Sequence, residues 1–179
     1  LEKQDSQMGT TSQGNSSFAN IDFEIINRSA NPVVVDGTTY AVGDVVMTIT
    51  TDETGHASTG NDALPYGAYE VRESATNESM LLTWTGETVQ VRQNGHSVSV
   101  TAVNDVERGG LSVEKQDTIT GSTPQGDANF EGITFEIINK SRNPVIVEGQ
   151  KYQPGEVVKT LVTDSEGKAS TADDLLPYG

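Results

Sequence analysis

The sequence predicts an all-β protein built from tandem β-sandwich domains. The first sign is composition. Thr, Ser, Val, Gly and Asn are abundant, and short runs of alternating apolar and polar residues fall between Gly, Pro, Asn and Asp clusters, with no sustained helical period. The second sign is internal repetition. Leu1-Glu2-Lys3-Gln4-Asp5 returns as Val113-Glu114-Lys115-Gln116-Asp117, Phe23-Glu24-Ile25-Ile26-Asn27 as Phe135-Glu136-Ile137-Ile138-Asn139, and Leu64-Pro65-Tyr66-Gly67 as Leu176-Pro177-Tyr178-Gly179. The third is the repeat length. Every pair is offset by 112 without a gap, and more than half of the aligned positions are identical. A unit of about 110 residues is the size of one β-sandwich.

Residues 1–106 read as one complete domain and 107–110 (Glu107-Arg108-Gly109-Gly110) as a short linker. Residues 111–179 read as the N-terminal part of a second, homologous domain, a truncated copy. A linker this short is expected to hold neighbouring domains nearly end to end.

Within the first copy, Leu1 to Asp5 reads as a strand, and the Ser-, Gly- and Gln-rich residues 6–20 as a loop. Ile21 to Asn27 reads as a strand with Ile21, Phe23 and Ile25 on one face. Pro32 to Val35 is a short strand ended by the turn Asp36-Gly37. Asp44 to Thr50 is a strand followed by the turn Thr51-Asp52-Glu53-Thr54-Gly55, and His56 to Thr59 a short strand leading to Leu64-Pro65-Tyr66-Gly67. In that turn Pro65 fixes φ and Gly67 frees it. Ala68 to Glu73, Leu81 to Thr85 and Glu87 to Arg92 follow as strands. The Gln93-Asn94-Gly95 hairpin signal then leads to a last strand from Ser97 to Asp105, with Val98, Val100 and Ala102 on its apolar face.

Charge and cysteine content exclude several function classes. The net charge is −15, which repels nucleic acid and anionic membrane, so neither is an expected partner. There are no cysteines, hence no disulfide, thiolate metal site or cysteine nucleophile. No transmembrane run, signal peptide or sorting signal is visible, and the chain reads as a fragment of something longer. His56 and His96 are distant in sequence and sit beside turns, and Asp44, Asp52 and Glu53 match no calcium-loop spacing, so no metal and no cofactor is expected. Asn15-Ser16-Ser17 and Asn77-Glu78-Ser79 match the glycosylation sequon, a short pattern that chance produces.

Strand parity yields the most specific chemistry. Glu73 shares a face with Tyr69 and Val71; Asn104 shares one with Val100 and Ala102; Lys3 shares one with Leu1, as Lys115 does with Leu111 and Val113. Three strands therefore end an apolar stripe with a polar residue. Burial lowers a lysine pKa and raises a glutamate pKa. A neutral Lys3 amine is a nucleophile. A protonated Glu73 is placed to hydrogen-bond and polarise the Asn104 carbonyl, and then to carry a proton from the amine to departing ammonia. The product would be an intramolecular Lys3–Asn104 isopeptide bond. The alternatives at these positions are a solvated Lys3, an Asn104 that closes the strand at a turn, and a Glu73 paired with Arg72 or Arg92.

Leu111-Ser112-Val113-Glu114-Lys115-Gln116-Asp117 resembles the first strand of Cna B-type domains, the prealbumin-like stalk modules of Gram-positive surface adhesins and pilins. Gln125-Gly126-Asp127 followed by Gly132-Ile133-Thr134-Phe135-Glu136-Ile137 is similar to the approach to that family's second strand. Thr51-Asp52, Gly55-His56-Ala57 and Leu64-Pro65-Tyr66-Gly67-Ala68-Tyr69 resemble its T-D-x-x-G…L-P-x-G-x-Y signature.

The resemblance implies tandem immunoglobulin-like (prealbumin-like) sandwiches. It also implies a cross-linking Lys3 and Asn104 with Glu73 as the catalytic acid, and Lys115 as the counterpart lysine of the second copy. The function it implies is that of a structural stalk module of a cell-surface adhesin or pilus-like protein. Such a module is extracellular, anchored to the cell wall through regions outside this chain, partnered by neighbouring repeat domains, and not an enzyme beyond its own single-turnover cross-link. Ser74-Ala75-Thr76-Asn77-Glu78-Ser79 departs from the Ala-Pro-Gly-Tyr run that often follows the family's acid. The alternative function is a ligand-binding adhesin module that recognises a host protein or glycan through its loops, which an exposed aromatic cluster would favour.

Overall fold

The computed structural model describes every residue from Leu1 to Gly179, without a helix. It divides into two compact units. The first comprises Leu1–Ser12 and Ser16–Val106, and the second Gln13–Asn15 and Glu107–Gly179.

In the first unit the strands are β1 (Glu2–Asp5), β2 (Asp22–Asn27), β3 (Val33–Val35), β4 (Thr38–Tyr40), β5 (Val45–Thr50), β6 (Gly67–Ala75), β7 (Glu87–Val91) and β8 (Thr101–Asn104). One sheet is antiparallel in the order β5-β2-β6-β7. The first and last strands pair with each other in parallel, and β3 and β4 form a hairpin. The sheets bury their apolar faces as a β-sandwich. Phe23 and Ile25 of β2, Tyr69 and Val71 of β6, and Ala102 of β8 are all at most 5% exposed. The outer face of β2 and β6 carries the complementary pairs Arg72–Glu24 and Arg28–Glu70.

The alternation of β2 breaks at Ile25/Ile26, where its pairing with β5 shifts register. The bulge buries both Ile26 and Asn27. Asn27 then spends its amide on the chain around it. Nδ2 donates to the carbonyls of Asn31, Tyr40 and Ala41, and Oδ1 accepts from the Ser29 N–H. The β3–β4 hairpin turns through Asp36 and Gly37 with φ of 48° and 77°, the positive angles of a two-residue primed turn.

Three expected strands differ. His56 to Thr59 makes only an isolated bridge, Glu2 with His56. Leu81 to Thr85 is not a strand; Leu81 and Leu82 are exposed, and the segment is held instead by the Leu81 N–H on the Asp105 carbonyl. The last strand begins at Thr101 rather than Ser97, because its ladder partner β1 begins at Glu2, whose register mate is Thr101. Val98, beyond that ladder, is 46% exposed and does not join the apolar face.

The second unit contains β9 (Arg108–Gly109), β10 (Ser112–Glu114), β11 (Thr134–Ile138), β12 (Val145–Val147), β13 (Gln150–Tyr152), β14 (Val157–Val162), β15 (Lys168–Ser170) and β16 (Leu176–Pro177). Its pairs are β10–β15, β11–β14, β12–β13 and β9–β16. The residues read as a linker thus include a paired strand, Arg108 opposite Pro177 and Gly109 opposite Leu176. The core packs Val145, Val147 and Val158 against Ile137, Tyr152, Leu175 and Leu176. Repeated residues do repeated jobs. The register shift recurs at Ile137/Ile138, and Asn139 Nδ2 donates to the Asn143 and Tyr152 carbonyls as Asn27 does to their counterparts. Glu148 and Gly149 take φ of 51° and 77° in the hairpin turn.

Candidate functional site

The site in the first unit is assembled by two turns and three strands. The Thr51-Asp52…Gly55 turn seats β1. Asp52 Oδ1 accepts from the N–H groups of Thr54 (2.8 Å) and His56 (3.0 Å), and the Gly55 carbonyl accepts from the Lys3 N–H (2.8 Å). Gly55 has φ +82°, and a Cβ there would sit 3.0 Å from Phe18 Cβ, so this approach requires glycine. The Leu64-Pro65-Tyr66-Gly67 turn seats β6. The Tyr69 hydroxyl donates back to the Pro65 carbonyl at 2.9 Å, and the Ala68 N–H donates to Ser29 Oγ at 3.0 Å. A side chain at Gly67 would occupy the place of that Ser29 hydroxyl. With Tyr69 fixed inward, the period of two puts Glu73 inward as well.

On β1 the burial alternates so that Lys3 and Asp5 point in, and on β8 it buries Ala102 and Asn104. Parallel pairing sets Lys3 level with Ala102 and Asp5 level with Asn104, so Lys3 and Asn104 are diagonal neighbours on the core face. Glu73 faces them from β6 in the other sheet. Lys3 and Asn104 are 0% exposed and Glu73 4%. Lys3 Nζ lies 3.5 Å from Glu73 Oε2, and Asn104 Nδ2 donates to Glu73 Oε1 at 2.8 Å and to Oε2 at 2.9 Å. The structure therefore brings together all three residues singled out from parity. The surface pairings considered for Glu73 do not form, since Arg72 pairs with Glu24 and Arg92 reaches Tyr66 and Gln90.

Burial dominates the electrostatics. Loss of hydration drives the Lys3 ammonium below its ordinary pKa, opposed by the adjacent Glu73 charge. The same desolvation drives Glu73 upward, opposed first by Lys3 and then by the Asn104 hydrogen bonds. Both shifts favour the neutral pair, an amine beside a carboxylic acid.

One expectation is corrected. Glu73 does not face the Asn104 carbonyl. It faces the amide nitrogen, while Asn104 Oδ1 accepts from the backbone N–H of Trp84 at 3.1 Å. The Trp84 donor decides this orientation, because a flipped amide would set NH2 against N–H. Glu73 is thus beside both the amine and the nitrogen that would leave as ammonia.

In the second unit Lys115 is half-buried. Its Nζ donates to the Gln116 carbonyl at 2.8 Å and lies 5.7 Å from the Phe130 ring centroid. The repeat pairs residues 1–67 with 113–179, so Lys115 aligns with Lys3 while Glu73 and Asn104 have no aligned residue in the sequence.

The other candidates serve local structure. Asp44 Oδ2 accepts from the Ala41 N–H, and Asp52 holds its own turn. Asn77 of one sequon donates to the Ser17 and Ala19 carbonyls, both at 2.9 Å. No group of three or more His, Cys, Asp or Glu is placed to hold a metal ion, and no helix is long and apolar enough to cross a membrane. A separate cleft of about 580 Å³ in the first unit is lined by Ile25, Val35, Tyr69, Val89 and the loops around Asn61 and Asn94.

A prealbumin-like fold domain of the SpaA type matches residues 5–106. The chain belongs to this family. The match spans the unit that carries Lys3, Glu73 and Asn104, apart from Lys3 itself, which lies two residues before it. Among solved structures the chain is similar to the Bacillus anthracis TIE protein, at 22% identity and a TM-score of 0.55, over 99% of this chain and 26% of that one. It is also similar to a streptococcal ancillary pilin, at 20% identity and a TM-score of 0.41, over 100% of this chain and 50% of that one. The chain thus spans a quarter to a half of the length of these proteins. No curated protein sequence matches it.

Proposed function

We propose that the chain is a stalk segment of a longer extracellular surface protein of the pilin or adhesin kind. Its first domain is stiffened by an autocatalytic isopeptide bond between Lys3 and Asn104, assisted by Glu73. The observation that carries this is the buried contact of Glu73 with both the Lys3 amine and the Asn104 amide. A structural core has no use for an amine, an acid and an amide wholly out of water unless they satisfy or react with one another. Membership of the prealbumin-like family and the resemblance to Cna B-type modules support the stalk role.

The chemistry needs no external reagent. The neutral Lys3 Nζ attacks Asn104 Cγ, the new C–N bond forms, and the Cγ–Nδ2 bond breaks. Glu73, protonated at the start, delivers its proton to Nδ2, which departs as ammonia, and takes up the proton lost by Nζ, so the carboxylic acid is regenerated. The fold supplies proximity, worth about 7–11 kcal/mol of barrier when the groups are held in line. The bond would join the first strand to the last, so tension along the chain bypasses everything between them. Neighbouring repeat domains in the same protein are the natural partners.

Binding of a host ligand finds less support. Trp84 is partly buried, edge-on to Phe23 with ring centroids 5.8 Å apart, and Tyr66 is the one aromatic among the exposed large hydrophobics, so no exposed aromatic cluster forms.

Intact mass tests the reading. The purified wild-type chain is expected to weigh one ammonia less than its sequence, and Glu73→Ala to carry the full mass. A wild-type chain at full mass would overturn the cross-link.

A further inference from the structure

We propose that the backbone N–H of Trp84 is the oxyanion donor for the attack on Asn104. The inference rests on the cross-linking role of Lys3, Glu73 and Asn104. It adds a fourth catalytic group that has no side-chain signature.

The Asn104 amide is held at both ends. Asn104 offers its nitrogen to the Glu73 carboxyl group and its oxygen to the Trp84 N–H, at 3.1 Å. When Lys3 Nζ bonds to Cγ, the carbonyl electron pair moves to Oδ1. The negative charge then develops on the atom that the Trp84 N–H already faces. Asn104 is fully buried, so no water competes for that oxygen and a single oriented donor has a large effect. When the intermediate collapses, the pair returns to re-form C=O, and Nδ2 leaves with a proton from Glu73.

The donor is held in place from three sides. The Trp84 ring packs against Phe23, the register partner of Glu73 in the β2–β6 ladder. Upstream, the Leu81 N–H bonds the Asp105 carbonyl, next to Asn104. Downstream, Gly86 (φ +92°) lies so close to β6 that a Cβ would come within 2.7 Å of the Val71 carbonyl oxygen. The loop from Leu81 to Gly86 therefore spans from β8 to β6 and sets its N–H over the reacting carbonyl. This accounts for a segment whose apolar residues suggested a strand but which pairs with none.

The test compares two variants at one position. Trp84→Phe keeps the N–H and a ring, whereas Trp84→Pro removes the N–H. Each chain is made by cell-free synthesis, quenched in acid at successive times and weighed. The proline chain is expected to lose ammonia about 10²–10³-fold more slowly than the phenylalanine chain. Equal rates would overturn the proposal while leaving the cross-link intact. Failure of the wild-type chain to lose ammonia would instead remove the cross-link itself.

A second measurement decides the matter if Trp84→Pro does not fold. Trp84 is the only tryptophan, so ¹⁵N-tryptophan labelling reports one backbone amide. In the unreactive Lys3→Met chain this amide is expected to exchange slowly with solvent, and in Lys3→Met/Asn104→Ala markedly faster. Equal exchange in the two would show that Asn104 does not hold the Trp84 N–H, and would overturn the proposal.

Discussion

Lys3 and Glu73 each oppose the shift that burial imposes on the other, so removing either one exposes the remaining shift. In Lys3→Met, Glu73 loses the cation that held its pKa down and keeps its proton above its ordinary 4.5. The folded state then binds more protons than the unfolded state, and stability should fall as pH rises from about 4.5 toward neutrality. In Glu73→Gln, Lys3 loses the anion that held its pKa up. The unfolded chain stays protonated to 10.5 while the folded one does not, so stability should rise with pH toward that value. Urea midpoints measured across pH should show opposite slopes, and parallel slopes would contradict the burial argument. Asn27 makes the same point without titration. Asn27→Ala removes the partner of three carbonyls and an N–H at the part-buried end of β2 and should cost about 1–3 kcal/mol in urea unfolding.

At the scale of elements, alternation located the inward residues of β1, β6 and β8 because each strand packs one face on the core. It was less able to say where a strand stops. The extent of β8 depends on where β1 offers a ladder partner, and Val98 lies past that point. The bulge at Ile25/Ile26 and the loop at Leu81–Gly86 also depend on contacts distant in sequence. The Trp84 N–H was illegible because every non-proline residue has one, and only the fold decides which faces Asn104. The repeated Leu-Pro-Tyr-Gly motif, by contrast, was readable as a turn, and the structure shows why the glycine is required. Gly67→Ala should push Ser29 off the start of β6, disturb the seating of Tyr69 and Glu73, and leave a fraction of chains at the uncondensed mass. Complete loss of ammonia in Gly67→Ala, at the wild-type rate, would show that the turn does not set the register of Glu73.

Over the whole chain, the parallel contact of β1 with β8 would give the proposed cross-link its mechanical meaning. A bond between residues 3 and 104 closes nearly the entire first unit into one loop. By the loop-entropy argument used for disulfides, that closure is worth about 4–5 kcal/mol. Lys3→Met, which cannot form the bond, should lose about this much at pH 7, read from urea unfolding. No loss would place the stability elsewhere in the sandwich. The chain has no cysteine with which to form the alternative covalent staple.

Loss of ammonia alone does not say where the bond is, since the exposed Asn94-Gly95 turn can also shed ammonia by cyclising on itself. The most direct measurement is therefore peptide mapping of the wild-type chain by tandem mass spectrometry. The expected product is a branched species in which the peptide containing Lys3 is joined to the peptide containing Asn104, one ammonia lighter than their sum and absent from Glu73→Ala. Recovery of both peptides in linear form at full yield would contradict it.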